Sequence, residues 1–471
     1  MSEQEIWRLG AVGLSAMLDA GSLTPHDVLD VCLDRHDQLN PSINAFAFVD
    51  REGAREAAEA SAARQKAGKR LGPLDGIPVS VKDNLYVRAM QAEWGSELFR
   101  GHVPERDDLC VERLRAAGAV IFGKSATAEF ALSGRTETKV LGTTRNPWDL
   151  ALSPGGSSGG AVAGVAAGIV PLALGTDAGG SIRMPASYTG LVGLRPGNGR
   201  VARRYGFPPM AIDFQAIGLT ARTVGDLDLL FAALSGPDRR DPVSLAVSSY
   251  GTLDRPLRIG WFDRLGDDVI DDAVCASHQQ ALKALAALGH HVEGCPPPFD
   301  IARLRQIWET ISSVGAARVA LRYPDWQARV TEPLAAIVER GAKRMANEYV
   351  EALDLLQEFR AETSSNWGNY DVLVLPTAAG PAFPVELEHP AVIGGRAGSG
   401  GIQGMFCGWV NAVGYSGLSI PGTPHPDGRP IGIQLVAKPG GDEMLIALAK
   451  SLEAEAPWEH RWPKLSQANH P

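Results

Sequence analysis

Residues Ser153 to Pro196 read SPGGSSGGAVAGVAAGIVPLALGTDAGGSIRMPASYTGLVGLRP. Two serines sit in glycine-rich turns. Ser157 lies in Gly155-Gly156-Ser157-Ser158-Gly159-Gly160 and Ser181 in Asp177-Ala178-Gly179-Gly180-Ser181-Ile182-Arg183. Between them, Ala161 to Leu174 carries no charge and is rich in small residues. Glycines before a hydroxyl let backbone N–H groups converge on one point, because no Cβ blocks unusual φ/ψ angles or close approach. Such a cluster beside a nucleophile can form an oxyanion hole. A membrane span needs about 20 predominantly apolar residues. The uncharged run from Leu150 to Thr176 is instead broken by Pro154, Pro171, hydroxyls and glycines, which points to a buried helix over about 159–168.

The flanking sequence alternates between strand and helix patterns. Upstream, Ile77-Pro78-Val79-Ser80-Val81 is a short apolar strand that delivers Lys82 at its end. Asp107 to Ala117 is a helix capped by Gly118, and Ala119 to Phe122 is the next strand. This β–α–β rhythm predicts an α/β protein with a partly parallel sheet. Further towards the N-terminus, Thr24 caps a helix whose first residue is Pro25, predicted to end before Asn40-Pro41. A strand at Asn44–Val49 and a helix at Ala54–Lys69 follow. Downstream, the pattern gives a helix from Thr223 to Leu234, a linker at Asp238–Val247, a strand at Leu257–Trp261 and a helix at Asp271–Leu288. Residues from about 300 to 368 read as mostly helical. Asp371–Leu375 and Pro430–Ala437 read as strands and Asp442–Glu455 as a closing helix. Gly394 to Gly404 is either a surface loop or a lid over a site.

Composition narrows the function classes. The chain has 471 residues, a net charge of −9 and no long basic run, so it lacks the clustered Lys and Arg that displace counterions from nucleic acid. Five scattered cysteines show no CxxC spacing and read as reduced thiols in a cytoplasmic protein, not as a disulfide framework or a zinc site. The N-terminal segment has neither a basic n-region nor a clean apolar h-region, so it does not read as a signal peptide. His290-His291 with Cys295 reads as a helix-to-strand turn and not as a metal site. Neither a cofactor nor a metal is expected, and neither is a membrane partner.

Ser157, Ser181, their spacing and the phrase GGSIRMPA resemble the amidase signature family of serine hydrolases. Val79-Ser80-Val81-Lys82-Asp83-Asn84 resembles that family's lysine segment, and Thr144-Arg145-Asn146-Pro147-Trp148 also matches; together these cover about residues 70–235. The resemblance implies one amidase domain over residues 1–471, with a central mixed β-sheet surrounded by α-helices and a divergent substrate region at about 300–410. It also implies a cis peptide bond between Gly156 and Ser157, and it leaves a homodimer open. A competing reading, the G-x-S-x-G nucleophile elbow of α/β-hydrolases, needs a hydrophobic strand before the serine and a later histidine. Residues 145–154 make a poor strand, and no histidine from His278 to His470 stands in a recognisable setting.

The chemistry implied by the resemblance needs no histidine. Ser181 is the expected nucleophile, and an alcohol must lose its proton as it attacks. Ser157 relays that proton to Lys82, which must be neutral to receive it. An exposed lysine has a pKa of about 10.4, so burial has to lower it. The backbone N–H groups of Ala178, Gly179, Gly180 and Ser181 form the expected oxyanion hole. Ser158 and Asp177 give supporting hydrogen bonds. Arg183 is either a brace paired with a carboxylate or a substrate contact. Trp409 and Cys407 read as core packing ahead of pocket lining.

The expected partners are a small-molecule amide and water. Aryl amides, hydrazides, carbamates and esters share the same tetrahedral intermediate. One alternative is the A subunit of a tRNA-dependent glutamine amidotransferase, acting for glutamyl-tRNA(Gln) or aspartyl-tRNA(Asn). Phe214-Gln215-Ala216 and Gly341 to Tyr349 depart from the pattern of such chains and favour a stand-alone enzyme. Others are a carbamate (urethane) hydrolase and an inactive scaffold; the intact Lys82, Ser157 and Ser181 argue against the scaffold. Trp308, Phe383, Phe406 and Trp409 suggest an apolar acyl or aryl group.

Overall fold

The computed structural model describes residues 6–249 and 253–467; His470 and the first five residues lie outside them. The described residues build a mixed sheet of eleven strands. In chain order these are β1 (Phe46–Val49), β2 (Pro78–Lys82), β3 (Val120–Ser125), β4 (Leu172–Asp177), β5 (Val192–Arg195), β6 (Ala216–Ala221), β7 (Arg258–Trp261), β8 (His291–Gly294), β9 (Val372–Pro376), β10 (Ser416–Pro421) and β11 (Gly432–Ala437). Across the sheet the order is β1-β3-β2-β4-β6-β5-β10-β11-β9-β7-β8. β3, β2 and β4 run parallel, as do β9, β7 and β8, with antiparallel pairs between and at the β1 edge. The mixed α/β reading therefore holds. β2, β4, β9, β10 and β11 are buried along their whole length, and β9 (Val-Leu-Val-Leu-Pro) accordingly reads as a continuous apolar run.

Helices cover the sheet. The ones that bear on the site are α1 (Pro25–Ile43), α2 (Gly159–Ala166), α3 (Arg183–Thr189), α4 (Ile301–Ala320), α5 (Glu332–Ala342), α6 (Ala346–Ser365) and α7 (Met405–Val413). α1 starts as expected, with Thr24 and Asp27 closing a capping box and Pro25 in the first turn. It does not stop before Asn40-Pro41 but runs on to Ile43. A proline within a helix loses one N–H bond, yet here Asn44 still donates to the Asn40 carbonyl at 2.8 Å, and the Asn40 side chain caps the Ala45 N–H at 2.8 Å.

The central small-residue run forms α2 followed by β4. α2 packs so closely that a Cβ on Gly160 would sit 2.3 Å from the Ala126 nitrogen and the Ala45 oxygen. The segment 238–247, expected to be a linker, contains a short 3₁₀ turn at Pro242–Ala246. Gly394 to Gly404 is not a plain loop: a two-stranded ribbon (Val392–Ile393 with Arg396–Ala397) leads into a helical turn at Gly400–Gln403. No helix among the described residues is long and apolar enough to cross a membrane.

Candidate active site

Two parallel neighbours end at the same place. Lys82 is the last residue of β2 and Asp177 the last of β4, with Val81 paired to Leu174. In open α/β sheets, reactive groups gather at the carboxyl ends of such strands. Lys82 is completely buried. Its Nζ donates to Ser157 Oγ and Ser158 Oγ, each at 2.8 Å, and to Thr176 Oγ1 at 3.2 Å. Burial holds the amine well below the ordinary lysine range; the charge of Asp177 opposes this and that of Arg203 adds to it. Thr176 Oγ1 is itself fixed by Asn84 Nδ2 at 2.9 Å.

The Gly156–Ser157 peptide bond is cis, as the resemblance implied. The turn around it is held from both sides. Gly155 has φ +87°, and a Cβ there would lie 2.8 Å from the Tyr188 ring; one on Gly156 would lie 2.6 Å from the Ser133 carbonyl oxygen. Thr136 Oγ1 donates to the Gly155 carbonyl at 2.9 Å and accepts from the Gly159 N–H at 3.0 Å. The two serine turns are tied to each other by the Ser158 N–H, which donates to the Ser181 carbonyl at 3.2 Å.

Arg183 is a brace. It is fully buried against Asp177, with Nε to Oδ2 at 2.9 Å and Nη2 to Oδ1 at 2.8 Å. Its remaining donors reach Gln434 Oε1 at 2.6 Å, the Cys407 carbonyl at 3.2 Å and Asn411 Oδ1. Burial alone would raise the Asp177 carboxyl, but the Arg183 charge and hydrogen bonds hold it well below the usual carboxylate range. Asp177 also accepts from the Gly180 N–H at 2.8 Å and the Ile182 N–H at 3.2 Å, which shapes the turn carrying Ser181.

Gly180 thus departs from the expected oxyanion hole, because its N–H is already donated to a buried carboxylate. Its role is conformational: φ is +117°, and a Cβ would sit 2.7 Å from Cys407 Cβ. Ala178, Gly179 and Ser181 instead line a cavity of about 360 Å³, with the buried Ser157 at its edge.

That cavity has two unlike walls. Beside Gly179 stands Trp308 of α4, so close that a Gly179 Cβ would lie 2.8 Å from its ring; Phe214 stacks on Trp308 with centroids 5.8 Å apart. Leu304, Met184, Met210 and Met405 also line the cavity. On the Gly155 side stand Tyr188, Phe383 and Gln403. Arg305 and Glu388 line the cavity too, and each is engaged elsewhere, Arg305 with Asp268 and Glu388 with Arg135. Trp409 and Cys407 are core residues: Trp409 stacks on Phe299 at 4.8 Å, and the Cys407 thiol, pushed up to about 12 by burial, lies 3.2 Å from the Thr377 carbonyl. Phe406 is likewise buried in the core.

The chain matches the Amidase family over residues 27–446. It belongs to the Amidase family. Among curated relatives, it is 36% identical to the A subunit of the glutamyl-tRNA(Gln) amidotransferase from Acidothermus cellulolyticus, covering 96% of this chain and 95% of that one. It is 33% identical to an acylamidase of Rhodococcus erythropolis, covering 98% of each. Among solved structures, a bacterial aryl acylamidase of the amidase signature family superposes with a TM-score of 0.88 at 25% identity, covering 98% of this chain and 99% of that one. This amidase is a hydrolase of amide C–N bonds with the amidase signature fold.

Several residues around the site escaped the sequence reading. Thr176 directly precedes Asp177 in the quoted stretch, and a hydroxyl at a buried strand end was a usable signal. Thr136, Asn411 and Gln434 come from distant segments with no motif, and only the fold brings them in.

Proposed function

We propose that this amidase works alone, as one catalytic unit, on carboxylic amides with an apolar acyl or aryl portion. Residues of about 70–235 supply the chemistry and those of about 300–410 the pocket. Ser181 Oγ attacks the scissile carbonyl, its proton passes to Ser157, and the Ser157 proton passes to Lys82. The N–H groups of Ala178, Gly179 and Ser181 receive the oxyanion; losing one such donor typically costs about 10²–10³ in rate. Collapse of the intermediate expels the amine, which takes the proton back through Ser157 and leaves an acyl-enzyme on Ser181. Water, activated by the same relay, then releases the acid. Asp177 and Arg183 hold the turn, and Ser158 orients Lys82.

The observation that carries this reading is the buried Lys82 amine within 2.8 Å of the Ser157 hydroxyl, held below the ordinary lysine range by burial. A neutral amine can accept a proton, and a desolvated one is a general base suited to near-neutral pH. Carbamates, hydrazides and esters fit the same machinery.

A second reading, glutamine hydrolysis for an amidotransferase, is favoured by the identity to the Acidothermus cellulolyticus amidotransferase chain. Glutamine carries an α-ammonium and an α-carboxylate that need free counter-charges. The pocket's Arg305 and Glu388 already pair with Asp268 and Arg135, which favours the stand-alone reading. The test is release of ammonia or amine by the purified chain from glutamine, aliphatic amides, aryl amides, anilides and carbamates, with Ser181→Ala in parallel. Turnover of apolar amides that vanishes in the variant is the expected result. Silence alone, with glutamine turnover only in the presence of partner proteins, would establish the second reading.

A further inference from the structure

A second pocket of about 250 Å³ adjoins the Ser181 cavity, and Leu132, Ser133 and Glu388 line both. The segment 129–134 runs between them: Phe130, Ala131 and Gly134 line the Ser181 cavity, and Glu129 lines the second pocket. Phe130 and Ala131 hold φ of +53° and +58°, a left-handed conformation that persists in such residues only where the surroundings enforce it. The enforcement comes from Glu129, which is 5% exposed. Its carboxylate accepts from Ser96 Oγ at 2.6 Å, from the Thr331 N–H at 2.8 Å and from the Thr331 hydroxyl at 2.6 Å, which ties the segment to the start of α5. The opposite side of the pocket is apolar, with Pro333, Leu334 and Ile337 from α5. Every charged side chain that lines the pocket already has a partner. Arg135 pairs with Glu137 and Glu388, Lys139 donates to the Ala328 carbonyl at 3.2 Å, and Glu129 is held as described.

The pocket lies on the Ser157 side of the site. The segment packs directly on the turn that carries this serine: a Cβ on Gly156 would sit 2.6 Å from the Ser133 carbonyl oxygen, and the Ala128 N–H donates to the Ser157 carbonyl at 3.2 Å. Trp308, by contrast, stands against Gly179. In the proposed mechanism the departing amine takes its proton from Ser157, so the nitrogen side of the scissile bond faces Ser157 and the second pocket.

We infer that the second pocket is the subsite for the amine portion of the substrate. The substrate class is then a secondary amide whose nitrogen carries an uncharged apolar arm that passes Ser133 and lies on the Ile337 face of α5. The acyl portion lies towards Trp308. This inference deepens the proposed function and rests on its assignment of Ser157 as the group that protonates the amine.

The test is calorimetric binding to the full chain carrying Ser181→Ala, so that it does not depend on turnover. N-alkylacetamides are paired with straight-chain primary amides of the same formula, N-butylacetamide with hexanamide and so on up the series. Only the side of the amide that carries the arm then differs. Affinity for the N-alkylacetamides should rise about fourfold per methylene, the worth of one buried CH₂ group, and then level off once the pocket is filled. Adding Ile337→Glu, which puts a charge on the α5 face, should flatten that rise and leave the primary amides unchanged. Adding Ile337→Trp, which keeps the face apolar, should spare short N-alkyl arms and exclude long ones. Equal effects of these variants on both isomer series, a rise that survives both variants, or no binding of any N-alkylacetamide would overturn the inference. Amide hydrolysis by the wild type, measured separately, tells the two readings apart. Turnover without isomer-specific effects sinks only the amine subsite, and isomer-specific binding without turnover sinks only the proposed catalysis.

Discussion

The residues from Lys82 to Arg195 and those from Ile301 to Gly408 meet at one cavity, yet they are held together by different forces. In the first region buried polar groups satisfy one another: Lys82 with Ser157, Ser158 and Thr176, and Asp177 with Arg183 and the Gly180 N–H. In the second, Leu304, Trp308 and Met405 present apolar surface, and shape does the work that hydrogen bonds do opposite. A buried polar network is cooperative and geometrically strict, whereas apolar packing tolerates exchange of side chains when volume is kept. On the proposed mechanism, chemistry and selectivity sit on separable parts of the chain, and substitutions in the two regions should fail in different ways.

The sharpest break of that comparison is Ser181→Ala, which should lower turnover of every substrate by roughly 10⁴-fold or more, as removal of a nucleophile does elsewhere. An acyl-enzyme visible by mass spectrometry in the wild type should disappear with it. Lys82→Met should cost about 10²–10⁴ in kcat, the usual range for a general base. In the wild type, activity should be present above the Lys82 pKa and fall as pH drops through it, with the midpoint below the ordinary lysine value of about 10.4. An alkaline midpoint at that ordinary value would contradict the buried, neutral base.

Arg183→Met tests the strictness of the polar region through stability. It leaves Asp177 buried without its cation and should destabilise the fold by about 3–5 kcal/mol, read from urea denaturation. Trp308→Ala tests the other region. It should leave the fold intact and lower kcat/KM for apolar amides by about tenfold while changing small aliphatic amides little, since apolar contacts discriminate only modestly. The smallest effect is expected from Arg305→Ala, whose half-exposed side chain pairs with Asp268, at roughly 0–1 kcal/mol of stability.

The same division explains what could be read from the sequence. Lys82, Ser157 and Ser181 were legible because glycine-rich turns and a strand ending in lysine are local patterns. The β2 strand was legible as an apolar run of the right length, whereas β4 lay unread within the small-residue run after Ala161. Arg183 could be placed near a carboxylate, but its choice of Asp177 over a substrate depends on Asn411 and Gln434, more than two hundred positions away. Gly180 looked like an oxyanion donor, since sequence cannot tell which N–H groups a neighbouring aspartate will claim. The end of α1 was misplaced because Pro41 sits in a last turn, where the Asn40 side chain supplies the compensating hydrogen bonds. Gln403 had no signal at all, lying in a glycine-rich segment whose fold over the cavity no local pattern specifies.

Three methionines that line the cavity, Met184, Met210 and Met405, give the protein a redox liability that the proposed serine chemistry would lack. Peroxide converts a thioether into a polar, chiral sulfoxide, which sulfoxide reductases can reverse. Three such conversions around the cavity would make its lining more polar, while hydroxyl and amine groups resist the same reagent. Oxidative stress would then change which molecules fit while leaving the proposed proton relay untouched.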